Sequence, residues 1–301
     1  MISLIQQLAP IPLLFLLGLG LKHFGFLNQA CAQRYLGWVV NVGMPAVILA
    51  SVSRIDLSQE LLLFPLLAMA TVLVLWGLSY LAGRVLALPR QRLGVFVVGG
   101  MIMNLAFVYP FISIAWGSDA LAWLVLFDFG NGLLRLTLVY GIACWFGRSH
   151  TGVAKRAMKG VATFPPFWAL FIALALNVFG WVPPDVILDN LQGIGQLLLF
   201  LVPFSLGIYF SLNNLDWPPL IVGLLLRSGV GLLLGLIWVN IFDLEGLSRA
   251  VVLVASAAPV GFNTLVFAVR ENLDAQFAAS LASLSVLIGM FYTPVLIYLL
   301  V

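Results

Sequence analysis

Apolar runs of about twenty residues recur from one end of the chain to the other, separated by short stretches that collect the charged residues. Each run is long enough to cross a bilayer core of about 30 Å as a helix. The pattern predicts ten spans: 2–21, 35–53, 61–83, 93–116, 121–146, 163–181, 190–211, 218–242, 249–269 and 276–300. Two of them are interrupted at midspan by Asn and Pro, in matching places of the two halves. The fourth is broken by Met103-Asn104-Leu105-Ala106-Phe107-Val108-Tyr109-Pro110, and the ninth by Ala258-Pro259-Val260-Gly261-Phe262-Asn263-Thr264. A backbone in lipid must satisfy its own hydrogen bonds. A broken helix is therefore tolerated only inside protein or beside a water-filled cavity.

Composition sharpens this picture. The chain is 63% hydrophobic and 8% charged, against roughly a quarter charged in soluble proteins. It reads as one membrane domain with no soluble domain. With the N-terminus outside and the spans alternating, the inner loops hold Lys22, Arg34, Arg84, Arg90, Arg92, Arg148, Lys155, Arg156, Lys159 and Arg270. The outer loops hold only Arg54 and Arg249, while Arg135 and Arg227 lie within spans. The positive-inside rule then places both termini outside, in a multi-pass protein of the cell's inner (plasma) membrane. The first run lacks a basic leader and a small-residue cleavage site, so it reads as a retained span. Cys31 and Cys144 imply neither a disulfide nor a metal framework.

A linker over 147–160 divides five spans (1–146) from five (161–301). Leu21-Lys22-His23-Phe24-Gly25-Phe26 is similar to Leu176-Asn177-Val178-Phe179-Gly180-Trp181, Pro45 answers Pro203, and Arg92 answers Arg249. The offsets are 155, 158 and 157, a shared register that indicates an internal repeat. Because five is odd, the second half inserts upside down. The expected fold is all-α: ten transmembrane helices as two inverted five-helix repeats, with broken helices 4 and 9.

The candidate binding residues are Asn104, Pro110, Pro259, Asn263 and Thr264. A side-chain amide offers two donors and an acceptor without permanent charge, so it can bind a carboxylate at midmembrane and release it. Each proline removes a donor and strains the preceding turn, and a half-helix N-terminus adds positive potential. The plainer role for each Asn is to satisfy backbone exposed near the proline. In the fifth span Asp128, Asn131 and Arg135, at i, i+3 and i+7, share one face. With Asn41 and the deep Arg227 they are candidates for a supporting polar network, since charges within spans usually face a cavity or a partner. No catalytic, metal-ligating or cofactor-binding set is evident. Gly130-Asn131-Gly132 lacks the strand and Lys-Ser signature of a phosphate loop.

The run from Ala258-Pro259-Val260-Gly261-Phe262-Asn263-Thr264 through Val266-Phe267-Ala268, Asp274, Ala279-Ser280, Leu284-Ser285 and Pro294 resembles the auxin efflux carrier family, which includes the plant PIN exporters and many bacterial permeases. Asn104, Ala106-Phe107-Val108 and Pro110 are also similar, although Tyr109 stands where the family usually has a small residue. The resemblance implies a fold shared with sodium–bile acid symporters, in which two broken helices cross near the membrane centre. It also implies transport of small organic anions, auxin in plants and dicarboxylates in bacteria. The short linker favours a bacterial permease.

The expected function is thus secondary transport of a small organic anion, a carboxylate, by alternating access, without enzyme activity. A sodium-coupled symporter of the bile acid type is the alternative. An intramembrane aspartyl protease would need a second deep carboxylate beside Asp128, and none is evident. The expected partners are the anion and the lipid bilayer, not nucleic acid; pairing of two copies into a homodimer is left open. Neither broken span contains Asp or Glu, which argues against proton coupling within them.

Overall fold

The computed structural model describes residues 6–54, 59–147, 152–212 and 215–301, and the side chains of 59–62 are outside the description. The beginning of the first predicted span, and Arg148 and Ser149 of the predicted linker, lie outside the described residues. Those residues form twelve helical elements and no strand. α1 is Pro10–His23. α2, Gln29–Val52, contains a π turn at Val39–Gly43. α3 is Gln59–Val85 and α4 is Arg90–Met101. α5, Leu105–Phe146, contains a π turn at Arg135–Val139. α6 is Val153–Ala162, α7 Pro165–Val178 and α8 Asp185–Tyr209. α9, Trp217–Ile241, contains a π turn at Leu225–Val230. α10 is Gly246–Ser256, α11 Asn263–Arg270 and α12 Ala275–Leu300.

Local chemistry sets several starts. Asn28 and Asp274 each accept a hydrogen bond from the backbone N–H three residues on, at 3.1 and 3.0 Å, and so cap α2 and α12. Prolines open α1, α7 and α9, where a missing N–H costs nothing. Six helices are long and apolar enough to cross a membrane, or seven if α6 and α7, bent by 49°, form one span. Much of the predicted linker is helix α6. The fourth and fifth predicted spans are joined without a loop, since α5 carries the second half of the fourth and all of the fifth and bends at Gly117. That residue's φ of 74° and ψ of −156° are open to glycine because it has no Cβ.

The helices pack in two groups. α1 lies along α8, and α2 lies against α7 and α8. In the other group α3 packs on α4 and α5, while α10 packs between α5 and α9. The two short helices that lead into the breaks are the most enclosed. Leu93–Met101 of α4 and Ala250–Ser256 of α10 are buried without exception. A helix apolar all round belongs inside. By contrast α3 and α9 expose Leu66, Leu81, Leu233 and Ile237, as lipid-facing helices do. α5 comes unusually close to α3 at Gly130, where a Cβ would overlap the backbone of Pro65.

Candidate functional site

The two breaks meet. Ile102–Asn104 separates α4 from α5, and residues 257–262 separate α10 from α11. Met103 and Val260 form an isolated antiparallel bridge. Asn104 N donates to Pro259 O at 2.9 Å, and Gly261 N donates to Ile102 O at 3.0 Å. Each break thereby supplies partners that the other's unwound backbone lacks.

Side chains close the remaining bonds. Asn131 of α5 holds both sides of Met103: its Oδ1 accepts from Met103 N at 3.4 Å, and its Nδ2 donates to Met103 O at 3.3 Å. The same Nδ2 donates to Asp128 Oδ1 at 2.9 Å. Asn104 caps α5, its Oδ1 accepting from Phe107 N at 3.2 Å. At the second break Arg227 is fully buried and donates to Ala258 O at 3.0 Å and Ser256 O at 2.5 Å. Tyr292 donates to Ala257 O at 2.6 Å, and Val260 N donates to Ser285 Oγ at 2.8 Å.

A cavity of about 120 Å³ opens beside the junction. Its polar lining is Asn104, Asp128, Arg135 and Asn263; Met44, Phe164, Phe262 and Phe267 supply much of the rest. Arg135 stands 5.6 Å from the Phe164 ring centre and 3.9 Å from Asp128, whose nearer partner is Asn131. One guanidinium, loosely paired, therefore faces a mainly apolar space. The buried Asn104 Nδ2 has no hydrogen-bond partner. This arrangement can hold one carboxylate through amide and guanidinium donors, with an apolar body against the aromatic rings.

Of the residues singled out in the sequence, Asn104, Asn263, Asp128 and Arg135 line this cavity, and Asn131 stands behind it. The others fall elsewhere. Pro110 lies inside α5 rather than in the break, because the cap at Asn104 starts the helix before it. Pro259 is buried and contributes its carbonyl. Thr264 is buried, and a Cβ on Gly99 of α4 would come within 3.4 Å of its methyl. Asn41 is exposed on the π turn of α2, whose Val40 and Met44 reach the cavity instead. Arg227 fastens the second break. A second cavity, about 230 Å³, escaped the sequence reading; Ser51, Tyr109, Ser113, Gln192 and Gln196 are among its walls. The i, i+4 pairs Tyr109/Ser113 and Gln192/Gln196 were the available signal. Tyr109 fills space between α5 and α8, its hydroxyl pointing toward Gly195.

These features define a multi-pass, all-helical membrane protein built around two interrupted helices. A family described as membrane transport protein matches residues 148–297. An uncharacterized transporter of Methanothermobacter thermautotrophicus is 27% identical over 288 residues, 93% of each chain. An uncharacterized transporter of Methanocaldococcus jannaschii is 27% identical over 278 residues, 89% of each. Over these stretches the chain is similar to membrane transport proteins, in keeping with its resemblance to the auxin efflux carrier family. It is a transporter and not an enzyme.

Proposed function

We propose that the protein is a secondary transporter of a small organic anion, a carboxylate, working by alternating access around the junction of the two breaks. The observation that carries this reading is that Asn104, which ends the first break, and Asn263, which follows the second, line one cavity with Arg135. Binding there is polar at one end and apolar over the rest.

The ten-span inverted repeat belongs to the same proposal, with both termini outside, 1–146 and 161–301 as the repeats and 147–160 as a cytoplasmic linker in the plasma membrane. Side-chain bonds between distant loops support it. Arg54 bonds Asp185 at 2.7 Å, and the scheme puts both outside. Arg92 bonds Asp216 at 2.7 Å and Asp274 at 2.9 Å, and Lys22 bonds Phe210 O; the scheme puts the four charged residues inside and Phe210 at the inner end of its span. Labelling of Ser149→Cys from the outside of sealed cells would overturn this topology.

The test of function is a thermal-shift screen of mono- and dicarboxylates on purified protein, since a ligand stabilises the state it binds. For an anion that shifts the wild type, Asn263→Ala and Asn104→Ala should each weaken binding about tenfold, roughly 1.4 kcal/mol. The double variant should be less than additive, because both amides serve one group. Unchanged affinity in both single variants would refute a site at the junction.

A further inference from the structure

Arg227 is fully buried, and no carboxylate pairs with it among the described residues. A charge at that depth needs a partner, and within a span the partner is another charge or backbone carbonyls. The sequence builds the second kind of setting. Arg227 sits in the π turn of α9 at Leu225–Val230, a distortion that is frequent at functional sites. One turn on, Gly231 leaves space: a Cβ there would overlap Ser256 O and come within 3.0 Å of Nη1 of the guanidinium.

The guanidinium lies against the C-terminal end of α10, the helix that leads into the second break. Its Nε donates to Ala258 O and its Nη2 to Ser256 O. Between them Ala257 O accepts from the Tyr292 hydroxyl, which is 3.0 Å from the Ser228 hydroxyl. Nη1 and Ser256 Oγ are both buried without a partner. A helix C-terminus carries negative potential. In carriers with broken helices, sodium is held by such freed carbonyls and half-helix ends. Here a positive charge carried by α9 is already on them.

Other oxygens at the junction are committed too. Ile102 O accepts from Gly261 N, Pro259 O from Asn104 N, and Met103 O from Asn131. Asp128, in the cavity lining, accepts from Asn131 and faces Arg135. An alkali cation placed on the α10 carbonyls would share them with a like charge, in an interior that screens poorly. We propose that Arg227 is a resident cation: its guanidinium fills the place a co-transported sodium would take at the second break, so the carrier works without sodium. The seat rests on geometry; what it means for coupling rests on the transporter reading, and it removes the sodium-coupled alternative.

Unfolding temperatures in detergent test the seat without knowledge of the cargo. Chloride is held constant, and the cation is sodium, methylguanidinium or N-methyl-D-glucamine at millimolar concentration. The wild type should unfold at the same temperature in all three. A saturable rise in sodium alone overturns the proposal, because it reveals a separate sodium site. Arg227→Ala empties the seat. Its unfolding temperature should rise by several degrees in methylguanidinium over N-methyl-D-glucamine, since a cation that refills the seat stabilises the fold. A folded Arg227→Ala protein without that rise overturns the proposal. Should this variant not fold, Arg227→Lys and Arg227→Gln decide. The first keeps the positive charge and the second keeps only neutral donors, so Arg227→Lys should be the more stable. An Arg227→Gln protein at least as stable overturns the resident charge. Finally, a carboxylate that shifts the wild type should do so equally in sodium and in N-methyl-D-glucamine. A shift that requires sodium would overturn the proposal and leave the carboxylate reading standing. A failed carboxylate screen beside a rescued Arg227→Ala would reject the anion reading and leave the resident cation standing.

Discussion

The two breaks solve one problem with different chemistry. Both leave backbone groups unpaired inside a membrane protein. The first is fastened by a neutral amide, Asn131, which matches the N–H and the C=O of Met103 in the manner of a neighbouring strand. The second is fastened by a guanidinium, Arg227, and by two hydroxyls, Tyr292 and Ser285. The difference follows from what each end exposes. The unwound segment after α10 presents the carbonyls of Ser256, Ala257 and Ala258 together, and only donors satisfy those. A guanidinium has five N–H groups and no acceptor. Met103 presents one donor and one acceptor, which suits an amide.

The comparison is broken most severely at Arg227. Arg227→Met keeps the length of the side chain and removes two hydrogen bonds to buried carbonyls. Charge-assisted bonds contribute about 1.5–3 kcal/mol each, so a loss of about 3 kcal/mol or more is expected. The yield of monodisperse protein and its unfolding temperature in detergent measure it. A variant as stable as the wild type would show that the second break holds itself together.

Asn131→Ala should cost less, about 2 kcal/mol, because neutral bonds are lost and the bridge to Val260 remains. Its effect on ligand affinity should be smaller than its effect on stability, since Asn131 stands behind Asp128 rather than in the cavity lining. A stable Asn131→Ala protein with strongly weakened binding would reverse that assignment. Asp128 would lose its nearer partner in this variant and draw toward Arg135. Ser285→Ala should follow, at about 1 kcal/mol, because it orphans one buried N–H at Val260.

The sequence carried some of this and not the rest, for identifiable reasons. The interruptions at Asn104 and Asn263 were legible because polar residues and proline stand out inside an apolar run. Asp128, Asn131 and Arg135 were legible as one face because helical spacing is local. Pro110 misled, because the Asn104 cap begins α5 before it and the proline falls inside that helix rather than in the break. The roles of Arg227 and Tyr292 were not legible, because the carbonyls they hold lie between 29 and 35 residues away in the chain. The burial of Glu271 against Tyr140 of α5 was not legible either. Nothing local shows that α5 covers it.

The finest distinction lies between the two asparagines that repeat symmetry would make equivalent. Asn104 is the residue before α5 and accepts from Phe107 N, so it serves the fold as a cap. Asn263 is the first residue inside α11, and no side-chain cap precedes it. Helix caps contribute roughly 0.5–2 kcal/mol. Asn104→Ala should therefore lower stability by about 1 kcal/mol, while Asn263→Ala should leave it within about 0.5 kcal/mol of wild type. Asn104→Asp keeps the capping oxygen but replaces the unpartnered Nδ2 by a second oxygen, so a carboxylate ligand should be repelled while the buried charge lowers stability as well. Denaturation of the three ligand-free proteins, followed by titration with an anion that stabilises the wild type, checks each expectation in turn. Equal losses of stability in Asn104→Ala and Asn263→Ala would mean that the breaks are more alike than their hydrogen bonds indicate.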